Sequence, residues 1–334
     1  MTRVTIIAEA GVNHNGDLTL GKRLVEAAAN AGADYVKFQS FSAARLTTVS
    51  APKAKYQVES KSPTETQRDM LQKLELSEAM HEELLDHCRA MNIGFLSTAF
   101  DRENLDFLIS LGVSLIKVPS GEITNIPYLR YIGSLGKKVL LSTGMSTLGE
   151  IENALNVLEE AGASRRLVTV LHCNSAYPTP MRDVNLNAMR NMGNAFDVEI
   201  GYSDHTTGTE VPIAAVAMGA SIIEKHLTLN KELTGPDHRA SLEPHEFVSM
   251  VDCIRNIEAA LGDGVKRPSP SEIENKSSAR KSLVAACNIK AGTQFTVENI
   301  VAKRPGTGIP ATQWDQLMNR VASKNYRKDD LIEW

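Results

Sequence analysis

Eight short apolar runs are spread along the chain, and polar residues capable of chemistry follow each of them at once. The runs lack the strict alternation of half-exposed strands, which is typical of parallel strands covered on both faces. Because the polar residues come at the same end of every run, the pattern indicates parallel strands whose carboxyl ends surround one site. The runs are Val4–Ala8, Tyr35–Phe38, Ile93–Leu96, Leu115–Val118, Val139–Leu141, Val168–Leu171, Val198–Ile200 and Ile222–Ile223.

The segments between these runs carry apolar residues three and four positions apart, which predicts helices. Several segments end before a glycine suited to a left-handed cap, among them Gly32, Gly112 and Gly162. Alternating strands and helices predict an α/β fold, and eight repeats within about 260 residues match a closed (β/α)₈ TIM barrel. An open doubly wound sheet is the alternative, but the glycine-rich phosphate turn that usually opens it is missing.

A stretch rich in glycine, proline and serine follows the last predicted barrel helix and marks a domain boundary. We predict a TIM-barrel domain over 1–262, a linker over 263–280 and a small, mostly β domain over 281–334. The small unit is basic, since residues 266–334 carry a net charge of +5 and the remainder −9. This charge either attracts an anionic substrate or helps two units dock. The long βα loop over 40–67 predicts a lid above the site.

Composition narrows the classes of function. No apolar stretch approaches the roughly 20 residues that span a bilayer, and the first strand begins too early for a signal peptide. Four cysteines without a CxxC pair are typical of the reducing cytoplasm. Aromatic residues make up 5% of the chain and no basic stretch is interleaved with them. The sequence therefore predicts a cytoplasmic enzyme with no membrane and no nucleic-acid partner.

His205 and His226 follow the seventh and eighth strands, which are neighbours in a closed barrel. Their imidazoles either share a divalent transition metal or are two hydrogen-bonded histidines, and the spacing leaves both readings open. Glu122 is a candidate outer ligand or base, and Asp204 a candidate for orienting a neighbouring group.

The remaining histidines and one cysteine have weaker signals. His14, on the first βα loop, either reaches substrate or shapes a turn. Cys173 ends the sixth strand and is expected to be a buried core thiol. Three further histidines lie on polar helical stretches and are expected at the surface. They are His81, His87 and His245.

Two lysines indicate an anionic ligand. Lys37 and Lys117 end the second and fourth strands, where a buried ammonium requires a negative partner. Ser120, Ser142 and Thr143 add hydroxyl donors nearby, so the set suits a phosphate and a carboxylate, as in phosphoenolpyruvate. A Schiff-base aldolase with one deprotonated lysine as nucleophile is the competing interpretation.

Nine segments, in order, resemble the bacterial sialic acid synthase family, which includes N-acetylneuraminate and legionaminate synthases. The resemblance covers nearly the whole length, and the last part is similar to the family's small antifreeze-like (SAF) domain. The matching segments are Ile7–Gly16, Val36–Gln39, Lys117–Glu122, Leu141–Met145, Tyr177–Pro180, Gly201–Thr206, Glu224–His226, Gly235–Asp237 and Lys303–Gly306.

The resemblance implies a reaction. Such enzymes condense phosphoenolpyruvate with an N-acetylmannosamine-type sugar and water, giving a nine-carbon 2-keto acid and phosphate through a tetrahedral intermediate. The sugar is N-acetylmannosamine or 2,4-diacetamido-2,4,6-trideoxymannose. By the same resemblance His205 and His226 hold a divalent metal, Mn²⁺ first and Mg²⁺ or Co²⁺ otherwise, that polarises the aldehyde. Arg304 is expected to reach the sugar from the partner subunit of a domain-swapped homodimer.

The resemblance also implies roles for the other residues. Catalytic roles fall to Glu122, Glu9 and Asp237. Phosphoenolpyruvate-binding roles fall to Lys37, Lys117, Ser120, Ser142 and Thr98. Sugar-binding roles fall to Gln39, Phe100, Ser175, Tyr177, Asp237 and Arg304.

One residue departs from the family pattern. Ser175 stands where the family has asparagine, two residues before Tyr177, and Asn174 stands beside it. An amide lost from this position changes the contacts at one end of the sugar, which leaves the two sugars open. Outside this branch, the alternatives are another phosphoenolpyruvate-condensing synthase, acting on arabinose 5-phosphate or erythrose 4-phosphate, and a non-catalytic sugar-binding protein.

Overall fold

The computed structural model describes residues 3–53 and 66–334, and the chain divides into two compact units, Met1–Asp263 and Gly264–Trp334. In the first unit eight parallel strands form a closed barrel, in which each strand pairs with the next and the last pairs with the first. This confirms the predicted (β/α)₈ barrel. The strands are β1 Thr5–Gly11, β2 Tyr35–Ser40, β3 Gly94–Ala99, β4 Leu115–Val118, β5 Lys138–Ser142, β6 Val168–Cys173, β7 Glu199–Asp204 and β8 Ile222–His226.

Most strands extend past the last apolar residue into the polar residues that follow it. β8 is the clearest case, because the apolar run covers only Ile222–Ile223 whereas the strand continues to His226. Backbone pairing with β1 sustains this extension, with Glu9 opposite His226. Successive side chains of a strand point to opposite faces, so Glu224 and His226 share one face and Lys225 lies on the other. Glu224 and His226 line the cavity that is described below.

Helices connect the strands, as predicted. The three predicted cap glycines have positive φ, 78° at Gly32, 91° at Gly112 and 126° at Gly162, where a side chain would be strained. Thr147 and Glu150 form a capping box that begins the helix after β5. The helices of this unit are α1 Leu18–Asn30, α2 Ala43–Leu46, α3 Gln67–Gln72, α4 Glu78–Ala90, α5 Arg102–Ser110, α6 Ile126–Ser134, α7 Leu148–Ala161, α8 Leu186–Phe196, α9 Glu210–Ala217 and α10 Pro244–Leu261.

A fully buried ion pair holds the loop after β7. Lys225 Nζ lies 2.5 Å from Asp204 Oδ2 and donates a further hydrogen bond to the carbonyl oxygen of Thr206. Asp204 also accepts hydrogen bonds from the backbone amide and the hydroxyl of Thr206. Because His205 lies between these residues, the pair sets the path of the backbone that carries its imidazole.

The second unit has its own small core, which includes Leu283, Phe295 and Tyr326. The predicted linker over 263–280 includes a helix that the sequence reading did not anticipate. This helix begins after Ser269, which forms a capping box with Glu272. The elements of the second unit are α11 Pro270–Ala279, the antiparallel strands β9 Ser282–Ala285 and β10 Ile300–Lys303, and α12 Trp314–Leu317.

Residues 54–65 of the predicted lid lie outside the described residues. The described flanks of that loop form α2 and α3. In the ranges 3–53 and 66–334, no helix has the length and apolar character needed to cross a membrane.

Candidate active site at the carboxyl ends of the barrel strands

A cavity of about 470 Å³ opens at the carboxyl ends of the barrel strands. Thr143, which was predicted to add a hydroxyl donor, does not line the cavity, and its hydroxyl donates to the Leu171 carbonyl. All residues of the barrel unit that were given catalytic, substrate-binding or metal-binding roles do line it, although they are spread from the first strand to the loop after the eighth. They are Glu9, Lys37, Gln39, Thr98, Phe100, Lys117, Ser120, Glu122, Ser142, Ser175, Tyr177, His205, His226 and Asp237.

Two ammonium groups and two carboxylates form a buried cluster on the cavity floor. Lys37 Nζ lies 2.7 Å from Glu9 Oε2 and 3.6 Å from Glu224 Oε2. Lys117 Nζ lies 3.1 Å from the other oxygen of Glu224. Thr98 accepts a hydrogen bond from Lys37 at 2.9 Å. All four charged side chains are nearly inaccessible to solvent, so each requires the opposite charge beside it.

The charge states follow from these contacts. Burial opposes the charge on Lys37, but the carboxylates of Glu224 and Glu9 outweigh it and raise the pKa of Lys37. Burial likewise opposes the charge on Glu224, yet Lys117 and Lys37 hold the pKa of Glu224 well below its usual range. Lys37 therefore stays protonated and suits anion binding, whereas the amine nucleophile of a Schiff-base aldolase must be deprotonated.

Glu224 is the central residue that the sequence interpretation left without a role. It bridges both lysines and accepts a 2.8 Å hydrogen bond from Ser203 Oγ. Its signal in the sequence was an acidic residue one position beyond the apolar run Ile222–Ile223. Two predicted buried ammonium groups also required negative partners, and this residue was available at a strand end.

Hydroxyl and amide groups lie beside Lys117 on the next strands. Ser120 Oγ accepts a 3.0 Å hydrogen bond from the Gly144 amide and lies 3.2 Å from Cys173 Sγ. Ser142 Oγ is buried without a hydrogen-bond partner in the described structure, which suits a donor that awaits a ligand. Cys173 is buried, as expected, and also lines the cavity. These groups can bind a phosphate or carboxylate.

Gly144 is required by this packing. A Cβ atom at this position would lie 2.3 Å from Ser175 Oγ and 2.8 Å from Ser120 Oγ. We expect Gly144→Ala to displace both hydroxyls and lower kcat/KM for the anionic substrate by about 100-fold, measured by steady-state kinetics.

Gly121→Ala is the matched control for this substitution. A Cβ atom at Gly121, which also lines the cavity, meets no heavy atom within 4 Å. Similar kinetic losses in both variants would show that the close contacts at Gly144 do not matter.

The two predicted metal ligands lie together. The rings of His205 and His226 are 5.5 Å apart between centroids, and the ring of Tyr177 lies 4.1 Å from that of His205. Burial lowers the pKa of His205 to about 4 and holds the pKa of His226 well below its usual value, so both imidazoles are neutral. Asn174 O lies 2.5 Å from His205 Nδ1; because a carbonyl only accepts, Nδ1 carries the proton and Nε2 keeps a lone pair.

These two residues fit a divalent metal ion as ligands. His226 Nδ1 is buried and has no hydrogen-bond partner in the described part of the chain, and neutral imidazoles with free lone pairs are common metal ligands. No group of three or more His, Cys, Asp or Glu residues in ranges 3–53 and 66–334 has the geometry of a metal site. Among the described residues, the imidazoles of His205 and His226 are therefore the candidate nitrogen ligands of this site.

The departure at Ser175 is not compensated by its neighbour. The Asn174 side chain donates to the carbonyl oxygen of Asp183 and accepts from the amide of Ala176, so it is engaged within its own loop. Ser175 Oγ instead lies beside Gly144, the same glycine that Ser120 Oγ adjoins.

Gln39 and Asp237 line the cavity near Glu9, which also belongs to the lysine cluster on the floor. Gln39 Nε2 donates to Glu9 Oε1 at 3.2 Å, next to Gly11, whose φ of 52° bends the backbone at the end of β1. Burial, followed by the charge of Glu9, raises the pKa of Asp237 to about 7. Burial also raises the pKa of Glu9. Asp237 can therefore exchange a proton near neutral pH.

The raised pKa of Asp237 predicts a stability that depends on pH. In the unfolded chain an aspartate titrates near 3.9, so the buried group destabilises the fold progressively as pH rises from about 4 to about 7. We expect Asp237→Asn to gain about 2–4 kcal/mol in unfolding free energy relative to the unmodified protein between pH 4 and pH 8. Urea titrations across this range measure it, and parallel pH curves would contradict it.

The remaining histidines differ in outcome. The prediction that His81 lies at the surface is wrong, because it is buried and its ring nitrogens contact Ser40 Oγ and the Ser77 carbonyl. His14 is buried and its Nδ1 accepts from the Gly16 amide, which makes it a turn residue. Arg304 belongs to the second unit, where its Nε donates to the Ala279 carbonyl.

The glutamate predicted to act on water, Glu122, lies in a short turn after β4. Its Oε2 accepts a 2.6 Å hydrogen bond from Asn125 Nδ2, and its side chain is half-buried at the cavity wall. It therefore lies outside the buried lysine cluster, where water has access.

Barrel and cavity together define a class of protein, a TIM-barrel protein with two buried lysines and a pair of neutral histidines at the strand ends. The chain belongs to the NeuB family, which matches residues 24–266, and the SAF domain matches residues 280–334. It is 52% identical to N,N'-diacetyllegionaminic acid synthase of Campylobacter jejuni over 99% of both chains. It is 44% identical to the protein of that name from Legionella pneumophila over 98% of this chain and 93% of the relative.

A solved structure has the same fold. The N-acetylneuraminic acid synthetase of Leptospira borgpetersenii, crystallised with citrate, is 35% identical and superposes with a TM-score of 0.73. The match covers 82% of this chain and 90% of that one.

Proposed function

We propose that this chain condenses phosphoenolpyruvate with 2,4-diacetamido-2,4,6-trideoxymannose and water to give N,N'-diacetyllegionaminic acid and phosphate. The observation that carries the proposal is a buried cluster beside the hydroxyl groups of Ser120 and Ser142. The cluster consists of Lys37, Lys117, Glu9 and Glu224. It occurs in a chain that shares 52% identity with a synthase of this product.

Lys37, Lys117, Ser120 and Ser142 bind phosphoenolpyruvate. Its phosphate and carboxylate accept hydrogen bonds from the two ammonium groups, which Glu224 holds in place, and from the hydroxyls. Thr98 fixes the direction of Lys37. The substrate is thereby positioned with its enol carbon toward the rest of the cavity.

The reaction forms a carbon–carbon bond to the sugar and a carbon–oxygen bond to water, and it breaks the carbon–oxygen bond to phosphate. The methylene carbon of phosphoenolpyruvate attacks the sugar aldehyde, water adds at the carbon that carries the phosphate, and phosphate leaves as the added hydroxyl becomes the keto group. Glu122 accepts a proton from that water. Asp237, with its pKa of about 7, supplies a proton at the sugar oxygen, and Glu9 with Gln39 orients the sugar hydroxyls.

His205 and His226 hold a divalent metal ion, Mn²⁺ first and Mg²⁺ or Co²⁺ otherwise, which when bound supplies Lewis-acid polarisation of the aldehyde oxygen. The Asn174 carbonyl holds His205 in the tautomer that presents Nε2. Tyr177 packs on that ring and limits its rotation.

The cavity argues against a phosphorylated sugar. Among the described residues that line it, Lys37 and Lys117 are the only lysine or arginine side chains, and both serve phosphoenolpyruvate. Arabinose 5-phosphate or erythrose 4-phosphate would bring a second phosphate that needs cations of its own.

The four cysteines are free, which suits a reaction in the reducing cytoplasm.

Phosphate release tests this proposal. The protein is assayed with phosphoenolpyruvate and Mn²⁺, with the trideoxy sugar or N-acetylmannosamine as acceptor, and with EDTA as the chelator control. We expect metal-dependent release that is strongest with the trideoxy sugar. Preference for N-acetylmannosamine would overturn the choice of sugar. Binding of sugar without any release of phosphate would favour the non-catalytic alternative.

Arg304 is proposed to complete the sugar site of the partner subunit in a domain-swapped homodimer. Arg304→Ala and His205→Ala should then each impair activity, because one removes a sugar contact and the other a metal ligand. Refolding an equal mixture of the two should restore up to about a quarter of normal activity, since heterodimers retain one intact site. Activity no higher than the mean of the two variants would contradict the swap.

A further inference from the structure

The outer part of the cavity has an apolar wall. We call it the distal wall and define it as Phe41, Leu46, Met70, Leu71 and Leu74, all of which line the cavity. Phe41, Met70 and Leu74 belong to a buried cluster distinct from the barrel core, and Leu46 and Leu71 pack against it. The wall is therefore a small core of its own with one face on the cavity.

The distal wall lies on the far side of the cavity from the lysine cluster. Lys37, Gln39 and Phe41 alternate along β2 and the residue after it, and all three line the cavity. At roughly 3.3 Å per residue, Phe41 lies about 13 Å further along the chain direction than Lys37. The cavity thus passes from charged groups at its floor to apolar groups near its mouth.

The wall is held in place by contacts that do not depend on substrate. The rings of Phe41 and Phe100 meet edge to face with centroids 6.0 Å apart. Glu75 Oε1 accepts a 2.6 Å hydrogen bond from the Ala43 amide, which ties the start of α2 to the turn after α3. These contacts make the wall a preformed surface with a fixed shape.

The direction of the sugar follows from the chemistry at the floor. The aldehyde carbon must meet the enol carbon of phosphoenolpyruvate, which the lysines hold, so the sugar chain runs outward from carbon 1 to carbon 6. The far end of 2,4-diacetamido-2,4,6-trideoxymannose carries a methyl group at carbon 6 and an acetamido methyl at carbon 4. The far end of N-acetylmannosamine carries hydroxyls at both carbons.

We propose that the distal wall binds these two methyl groups and thereby selects the trideoxy sugar over sugars that are hydroxylated at carbons 4 and 6. This inference rests on the function proposed above and assigns its sugar selectivity to particular side chains. The five apolar side chains of the wall favour each methyl group and offer a hydroxyl no hydrogen-bond partner in return for its lost water. Thr47 and Gln67 also line the cavity, so they are the polar side chains nearest in the chain to which a hydroxyl could turn.

Leu71→Gln tests the inference. Leu71 is half-buried on α3, and glutamine is close to it in size but offers an amide to the cavity. We expect the ratio of kcat/KM for the trideoxy sugar to that for N-acetylmannosamine to fall about 10- to 100-fold, with KM for phosphoenolpyruvate unchanged. Leu46→Gln, on the shorter helix α2, provides a second variant should the first fail to fold.

Leu85→Gln is the matched control, since Leu85 is equally half-buried but lies on the outer helix α4 away from this cavity. Loss of selectivity in the wall variants alone supports the inference. If the unmodified protein prefers the trideoxy sugar and both wall variants keep that ratio, the inference is overturned and the proposed function stands. If the unmodified protein prefers N-acetylmannosamine, both are overturned.

Discussion

Replacing Glu224 by glutamine will destabilise the protein by about 3–5 kcal/mol at neutral pH, because it leaves buried ammonium groups without one of their two carboxylates. Glu224 lies 3.1 Å from Lys117 and 3.6 Å from Lys37, and all three side chains are at least nine-tenths buried. Urea unfolding of both proteins measures the difference. The depressed pKa of Glu224 means that this stability is present above about pH 4.5 and is lost as pH falls into the acid range.

An anionic substrate should offset part of this loss. In the variant the cluster keeps two ammonium groups and one carboxylate, so a bound phosphoenolpyruvate supplies the missing negative charge. We expect saturating phosphoenolpyruvate to raise the thermal midpoint more in Glu224→Gln than in the unmodified protein. Equal shifts in the two proteins would contradict the view that substrate and Glu224 compensate the same lysines.

Glu83→Gln serves as the matched control for the same change of chemistry. Glu83 lies 2.7 Å from Lys22 on the surface, where both side chains are about a third to a half exposed. An exposed pair of this kind contributes about 0–1 kcal/mol. A similar loss in the two variants would show that the effect of Glu224→Gln does not come from buried charge.

The second large effect is expected for His205→Ala, which should lower kcat by about 10²–10⁴-fold while leaving the unfolding midpoint nearly unchanged. The imidazole presents a free Nε2 to the cavity, and removing it takes away one of the two proposed nitrogen ligands. Mn²⁺ binding, followed by the electron paramagnetic resonance of the free ion, should weaken in parallel. This readout does not depend on turnover.

His245→Ala is the control for nonspecific metal binding by histidine, since His245 is exposed on α10, away from the cavity. Full activity after exhaustive chelation, or unchanged Mn²⁺ affinity in His205→Ala, would refute the two-histidine site. If only His245→Ala weakened Mn²⁺ binding, the metal would be on the surface.

Many residues of the candidate site could be predicted from the sequence, because the pattern that marks each of them is local to one strand end. A lysine at the end of an apolar run, such as Lys37 or Lys117, needs a negative partner wherever the strand lies. His205 and His226 follow consecutive strands, and closure of the barrel brings consecutive strand ends together. The lengths of the strands were harder to predict. Backbone pairing with β1 extends β8 over polar residues that lie outside the hydrophobic pattern.

Other features depend on contacts between distant segments. Lys117 and Glu224 are 107 positions apart in the chain, so the contact that balances their charges appears only in three dimensions. His81 has the sequence context of a surface histidine, but Ser40 Oγ hydrogen-bonds its ring and the rings of Phe95 and Phe107 pack against it. The need for Gly144 comes from Ser120 and Ser175, which lie on other loops.

By itself, the amino-acid sequence determined the barrel, the order of its strands and the polar residues near their carboxyl ends, because helical and strand periodicities are properties of neighbouring positions. Only the tertiary structure decided which ends share charge, which hydroxyls face one another and where the apolar wall lies. Those relations depend on distances between side chains from different strands, and a hydrophobic pattern along one chain does not encode such distances.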